Sequence, residues 1–104
     1  MTGENHVVRV RVEVHNEKGL HARPATLVAQ RAREFQSEVA LVLVESPVHI
    51  STPPGQRADA KNIMDVMFLA APQGSQIDVE ASGPDAEAAI EALRDLFENR
   101  FGVP

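Results

Sequence analysis

This sequence of 104 residues lacks cysteine, tryptophan and tyrosine, and its only aromatic residues are four phenylalanines. Without cysteine it has no disulfide scaffold, thiolate zinc site or thiol nucleophile. So few aromatic rings provide no platform for stacking single-stranded nucleic acid. Basic residues are also in deficit, since ten Lys and Arg stand against fifteen Asp and Glu and give a formal net charge of −5. We therefore expect no nucleic-acid partner, because phosphate backbones select proteins with an excess of Lys and Arg.

Long apolar runs are missing as well. No segment approaches the roughly 20 apolar residues of a membrane span, and residues 1–6 carry no apolar run of the kind found in signal peptides. We therefore expect a cytoplasmic protein without membrane insertion. The length predicts one domain, over residues 7–104, preceded by a flexible N-terminal tail over residues 1–6.

Several stretches have the pattern of β-strands. Valines alternate with polar residues over 8–14, and Ile77, Val79 and Ala81 alternate with polar residues in the same way, which predicts two half-buried strands. The apolar run 39–44 predicts a largely buried strand. Weaker signals suggest that 48–51 continues a strand and that 56–60 returns as an edge strand.

The sequence also predicts three helices. The first begins near residue 22, and the second is a short helix capped by Asn62. This second helix is apolar nearly all round, which indicates contact with a partner. The third opens at 82–85 and is ended by Gly102. The order β-α-β-β-α-β-α, with one apolar face on each strand, predicts an α+β fold in which three helices cover one face of a four-stranded antiparallel sheet.

The most informative residue is His21, because it lies where the first helix should begin. Free backbone N–H groups and the positive end of the helix dipole form an anion site there. Pro24 fits the first turn of the helix, Gly19 gives the preceding chain its freedom, and Arg23 adds a permanent cation suited to a phosphate group. Taken alone, a histidine at this place is more often structural. With Arg23 beside it, His21 becomes a candidate nucleophile whose phosphorylated form the helix end would stabilise.

These residues resemble a known family. The run Gly19-Leu20-His21-Ala22-Arg23-Pro24-Ala25 is similar to the active-site signature of the histidine-containing phosphocarrier (HPr) family of the phosphoenolpyruvate-dependent phosphotransferase system. The segments 61–67 and 73–83 also resemble the family's second helix and last strand, so the resemblance covers about residues 7 to 101. It implies an open-faced β-sandwich with a longer connection than usual around 45–56.

The resemblance also implies a function. His21 would accept a phosphoryl group from phosphorylated enzyme I, on its Nδ1 nitrogen, and donate it to a histidine of an enzyme IIA-type or regulatory protein. Arg23 would contact the phosphoryl group, and no cofactor would be needed. The implied docking surface combines residues of the first two helices, namely Ala22, Thr26, Leu27, Gln30, Arg33, Ile63, Met64 and Met67.

Two positions depart from the family pattern. Asn62 stands where many members carry a regulatory serine, so we expect that switch to be absent, although Asn can still cap the helix. Asp65 replaces a common glycine and adds a negative charge beside the docking surface. The amino-acid sequence near the C-terminus, over 77–81 and at Leu96-Phe97, is similar to that of the nitrogen-related branch of the family.

Two other functions remain open, a regulatory binding module that docks to partners without transferring a group and a purely structural domain. The other histidines, His6, His15 and His49, have no paired spacing that would suggest a metal site.

Overall fold

The structure, a computed structural model, describes residues 7–102. The proposed tail over 1–6 therefore lies outside the described residues, as do positions 103 and 104. The elements follow the order predicted from the sequence. They are β1 (Val7–Glu13), α1 (Ala22–Ala32), β2 (Glu38–Glu45), β3 (Arg57–Asp59), α2 (Ile63–Phe68), β4 (Gln76–Ser82), α3 (Ala86–Glu98) and a final 3-10 turn (Arg100–Gly102).

The strands form one sheet in the order β1-β4-β2-β3, and every neighbouring pair is antiparallel. In the central strand β4, Ile77, Val79 and Ala81 are buried and the residues between them are more exposed. These side chains share one core with the inner faces of all three helices. The predicted fold class, an α+β open-faced sandwich, is confirmed.

Charged side chains cover much of the open face of the sheet. The Arg9 Nε donates to the Glu80 carboxylate at 2.8 Å, and the Arg57 Nη1 reaches from β3 over β2 to the same carboxylate at 2.7 Å. Partial burial raises the pKa of Glu80, but the hydrogen bonds from Arg57 and Arg9 outweigh it and hold that pKa below its usual value. Arg11 binds Asp78 in the same way, with an Nε–Oδ1 distance of 2.7 Å.

Two local predictions are wrong. Residues 48–51 form no strand, since the chain between β2 and β3 is irregular and prolines on both sides prevent regular pairing. The third helix ends at Glu98 rather than at Gly102. Arg100 and Phe101 have positive φ angles of 53° and 56°, which an α-helix cannot accommodate. Phe101 nevertheless packs on Phe97 in the core, with ring centroids 4.9 Å apart.

Candidate functional site

The chain that leads into α1 is fixed by a close backbone contact. Gly19 has a φ of +68°, and a Cβ atom at this position would lie 2.3 Å from the carbonyl oxygen of Ala71. Only glycine fits both the backbone conformation and the space. The next residue, Leu20, is buried and donates its N–H to the same Ala71 oxygen at 3.0 Å. The position of His21 is therefore set by the segment that follows α2.

His21 is the N-cap residue of α1. Its backbone is extended, with φ −79° and ψ −169°, and its carbonyl oxygen accepts the Ala25 N–H at 3.0 Å to begin the helix. The imidazole makes no capping hydrogen bond and is half-buried. Ala25 already donates its N–H to the His21 carbonyl oxygen and Pro24 has no N–H, so the free amides of the first turn are those of Ala22 and Arg23, the two residues that follow His21. The Arg23 side chain is exposed on this same turn. An anion held by a ring nitrogen of His21 would thus meet backbone donors and a guanidinium group.

A shallow depression adjoins His21. It is formed by the chain just before α1 together with the end of α2 and the residues that follow, namely Lys18, Leu20, His21, Met67, Ala70, Ala71 and Pro72. Met67 is the one residue of the implied docking surface that lines it. The structure therefore places His21 and the second helix side by side.

The far ends of α1 and α2 are also joined. The Arg33 Nε donates to the Lys61 carbonyl oxygen at 2.8 Å, and the Lys61 ammonium group donates to the Phe35 carbonyl oxygen at 2.8 Å. These two bonds link the end of α1 to the residues before α2. The end of α1 and the start of α2 are therefore held next to each other.

The remaining residues of that surface differ in exposure. Ala22, Gln30 and Arg33 are exposed, whereas Thr26, Leu27 and Ile63 are half-buried. Met64 is 53% exposed. The Thr26 hydroxyl donates to the Ala22 carbonyl oxygen at 2.7 Å, so it is already engaged within the helix.

Asn62 caps α2 as predicted. Its Oδ1 accepts the Asp65 N–H at 3.1 Å. The Asp65 carboxylate in turn accepts the Asp59 N–H at 3.2 Å and so ties α2 to the end of β3. The negative charge expected beside the docking surface is thus turned towards β3.

The sequence prediction missed Phe68, which at 69% is the most exposed large apolar side chain in the described part of the chain. It follows Met67 at the end of α2 and lies one helical turn from Met64. The available signal was the apolar character of the entire helix, which indicates that some side chains must face outwards but not which ones.

Within residues 7–102, no group of three or more His, Asp or Glu residues is arranged to hold a metal ion. None of the helices in that range is both long and apolar enough to cross a membrane.

Comparison with known proteins identifies the family. A family model described as the PTS HPr component phosphorylation site matches residues 8–99. This chain belongs to the HPr family. HPr proteins are phosphocarriers of the phosphotransferase system, and this chain is accordingly a phosphocarrier of that type.

Individual HPr relatives agree with this assignment. The phosphocarrier protein HPr of Treponema pallidum is 41% identical over 90 residues, which cover 86% of this chain and 91% of that protein. The phosphocarrier protein NPr of Proteus mirabilis is 40% identical over 91 residues, covering 88% and 91% of the two chains. Among solved structures, an HPr from Thermoanaerobacter tengcongensis matches with a TM-score of 0.76 and 37% identity, covering 93% of this chain and 98% of that one.

Proposed function

We propose that His21 accepts a phosphoryl group from phosphorylated enzyme I and passes it to a histidine of an enzyme IIA-type protein. The observation that carries this proposal is the half-buried His21 imidazole at a helix start that no side chain caps. A phosphoryl group on this ring would lie beside the free amides of the first turn and the Arg23 guanidinium.

The transfer needs few groups from this chain. The lone pair of a ring nitrogen of neutral His21, Nδ1 by the family resemblance, attacks phosphorus while the bond between phosphorus and enzyme I breaks. Enzyme I keeps the electron pair of the broken bond. Arg23 and the helix amides stabilise the charge of the transferred group. Because phosphoryl transfer depends mainly on positioning and charge stabilisation, the partner's own site can supply the rest.

The partners bind to the docking surface, which we define as Ala22, Thr26, Leu27, Gln30, Arg33, Ile63, Met64 and Met67. The methionines of this surface are flexible and polarisable, which suits a protein that must bind a donor and an acceptor in turn. A hydroxyl group for regulatory phosphorylation is lacking at Asn62, so the serine switch of many family members is absent from this chain.

The test is phosphorylation by enzyme I and phosphoenolpyruvate, followed by intact-mass measurement. The wild type should gain one acid-labile phosphoryl group, and His21→Ala should gain none. His49→Ala is the matched control, because His49 is exposed in the connection between β2 and β3 and should leave the adduct unchanged. An adduct that persists in His21→Ala contradicts the assignment of this residue.

The alternative is a regulatory HPr-like protein that acts by docking, in control of nitrogen or carbon metabolism. The chain is 40% identical to an NPr protein, which is close to its 41% identity to an HPr protein, and this similarity supports the alternative function. Two results together would support this alternative. The wild type and His21→Ala would bind a regulatory partner equally strongly, and the wild type would gain no phosphoryl adduct.

A further inference from the structure

Asn16 is a fully buried polar residue in the turn that leads into α1. Its carbonyl oxygen accepts the Gly19 N–H at 3.0 Å and so closes this turn just before His21. Its side-chain Nδ2 donates to the Arg100 carbonyl oxygen at 2.8 Å. A buried polar group costs free energy unless it is hydrogen-bonded, so this bond matters to both ends. Asn16 therefore joins the chain before His21 to the chain after α3.

The other end of this link has an unusual backbone. Arg100 and Phe101 follow α3 with φ angles of 53° and 56°, and two consecutive left-handed residues other than glycine are disfavoured. The Gly102 N–H closes this turn on the Asn99 carbonyl oxygen at 2.9 Å. Phe101, only 3% exposed, anchors the turn in the core. Such a conformation persists only where its surroundings fix it, and here Phe101 and Asn16 do so from two sides.

The His21 imidazole depends on its backbone for its position, because it makes no capping hydrogen bond that would fix the ring directly. That backbone is held on one side by the Leu20 N–H, which donates to the Ala71 carbonyl oxygen at 3.0 Å. It is also held by the turn that begins at Asn16. The link to Arg100 thus contributes to where the ring lies.

We propose that Asn16 is a positioning residue for phosphoryl transfer, which acts through its hydrogen bond to Arg100. The bond fixes the turn before His21 and so sets where the imidazole lies relative to the free amides of Ala22 and Arg23. Being fully buried, Asn16 itself meets neither the phosphoryl group nor a partner protein. The inference rests on the proposed function of His21 and deepens it, because it makes the turn after α3 part of the support of the site.

The size of the expected effect follows from the chemistry. Phosphoryl transfer depends mainly on positioning and charge stabilisation, and a displacement of about 1 Å can slow a reaction about 100-fold. Without the link, Leu20 still holds the backbone beside His21, so the ring is displaced only in part. We therefore expect kcat to fall roughly tenfold. KM should change little, because a buried residue makes no contact with the partner.

The experiment uses Asn16→Leu, which retains much of the shape of the side chain but has no N–H to donate. The kcat and KM are measured for transfer from phosphorylated enzyme I. Amide NMR spectra before and after phosphorylation give a second readout. In the wild type the Ala22 and Arg23 resonances should shift, because these N–H groups would bind the phosphoryl oxygens. In Asn16→Leu both shifts should be smaller, an effect that a general loss of stability would not produce.

Ser37→Ala is the matched control for lost stability. Ser37 is also buried, and its hydroxyl donates to the Asp85 carboxylate at 2.6 Å, past the opposite end of α1 from His21. This variant should lower the urea midpoint and leave both kcat and the amide shifts unchanged. Arg100→Gly is the converse control, since glycine suits the left-handed backbone and keeps the carbonyl oxygen that Asn16 binds. It should transfer the phosphoryl group with the wild-type kcat.

Unchanged kcat and undiminished amide shifts in folded Asn16→Leu, with a phosphorylated wild type, overturn this inference and leave the proposed function intact. An equal fall of kcat in Ser37→Ala also overturns it, because lost stability would then explain the effect. If circular dichroism shows that Asn16→Leu does not fold, Phe101→Leu decides, since it loosens the same turn at its anchor. That variant should also lower kcat, and an unchanged value overturns the inference. A wild type that gains no phosphoryl group overturns both proposals.

Discussion

At the scale of single residues, Ala70 holds a conformation that its side chain disfavours. It directly follows the C-cap of α2 with a φ of +53°, and its N–H donates to the Met67 carbonyl oxygen at 2.9 Å. Left-handed backbone costs an L-residue about 1–2 kcal/mol, and glycine is the usual residue at this place after a helix. Ala70→Gly should therefore raise the free energy of unfolding, by up to about 1 kcal/mol once the larger entropy of the unfolded glycine chain is subtracted. Urea denaturation measures the change.

Ala88→Gly provides the matched control for this prediction. Ala88 is exposed within α3, where the backbone is helical. The same substitution should here lower the free energy of unfolding by about 0.5–1 kcal/mol. If both variants are destabilised, the left-handed backbone of Ala70 carries no appreciable cost.

Single residues also show where sequence reasoning succeeds and where it ends. Asn62 was predictable as a helix start because Asn is a common N-cap residue. His21 was predictable because Pro24 and the apolar period that follows mark the first turn of a helix. The positive φ angles of Ala70, Arg100 and Phe101 were not, since glycine is the main residue whose identity signals left-handed backbone. The outward direction of Phe68 was also hidden, because five of the six residues of α2 are apolar and Asp65 alone does not define which of them face outwards.

At the scale of elements, Asp85 joins the turn after α1 to the start of α3. Its carboxylate accepts the Ser37 hydroxyl at 2.6 Å and the backbone N–H groups of Gln36 and Ser37 at 2.9 Å each. The Asp85 N–H donates back to the Ser37 Oγ at 3.1 Å. The hydrogen bond from the Ser37 side chain, followed by that from the Gln36 amide, lowers the pKa of Asp85 below 3.8.

This geometry predicts a pH dependence for Asp85→Asn. The folded-state pKa is depressed, so the ionised carboxylate stabilises the fold at pH values above its unfolded-state pKa. That contribution is lost as the pH falls through the folded-state pKa. The variant should therefore melt at a lower temperature than the wild type at pH 7, and the gap should narrow below about pH 4. Thermal melts monitored by circular dichroism at several pH values measure this gap.

Asp95→Asn is the control for that pH series, since Asp95 is an exposed residue on α3. Its difference in melting temperature from the wild type should not narrow in the same way. A constant difference for Asp85→Asn from pH 7 to pH 3 would show that the carboxylate charge makes no contribution.

The elements differ in how well the sequence predicts them. β1, β4, α1 and α3 carry regular apolar periods. The first three were predicted close to their observed positions, whereas α3 was predicted to run to Gly102 and ends at Glu98. The connection from residue 46 to 56 was harder, because Val48 and Ile50 have strand-forming side chains while the neighbouring prolines prevent pairing. The strand order β1-β4-β2-β3 depends on contacts far apart in sequence, so local patterns did not reveal it.

At the scale of the whole molecule, charge is distributed unevenly. The chain has a formal net charge of −5, yet the segment 18–33, which includes His21 and α1, contains four cations and no acidic residue. These cations are Lys18, Arg23, Arg31 and Arg33. In contrast, α3 has four acidic residues and one arginine. An acidic partner surface would therefore be drawn to the His21 end and repelled by α3, which orients the encounter before contact.

This polarity predicts that phosphoryl transfer slows as salt is added. The Debye length falls from about 30 Å at 0.01 M salt to about 10 Å at 0.1 M, so the second-order rate constant with enzyme I should fall roughly tenfold over that range.

Arg33→Gln should lower the rate constant at low salt and weaken its dependence on salt, while the Gln amide can still donate to the Lys61 carbonyl oxygen. Arg94→Gln is the matched control, because Arg94 on α3 forms an exposed pair with Glu91 at 2.5 Å, and such pairs contribute little. Equal salt dependence in wild type and Arg33→Gln would mean that charge at this end of α1 does not guide the partner.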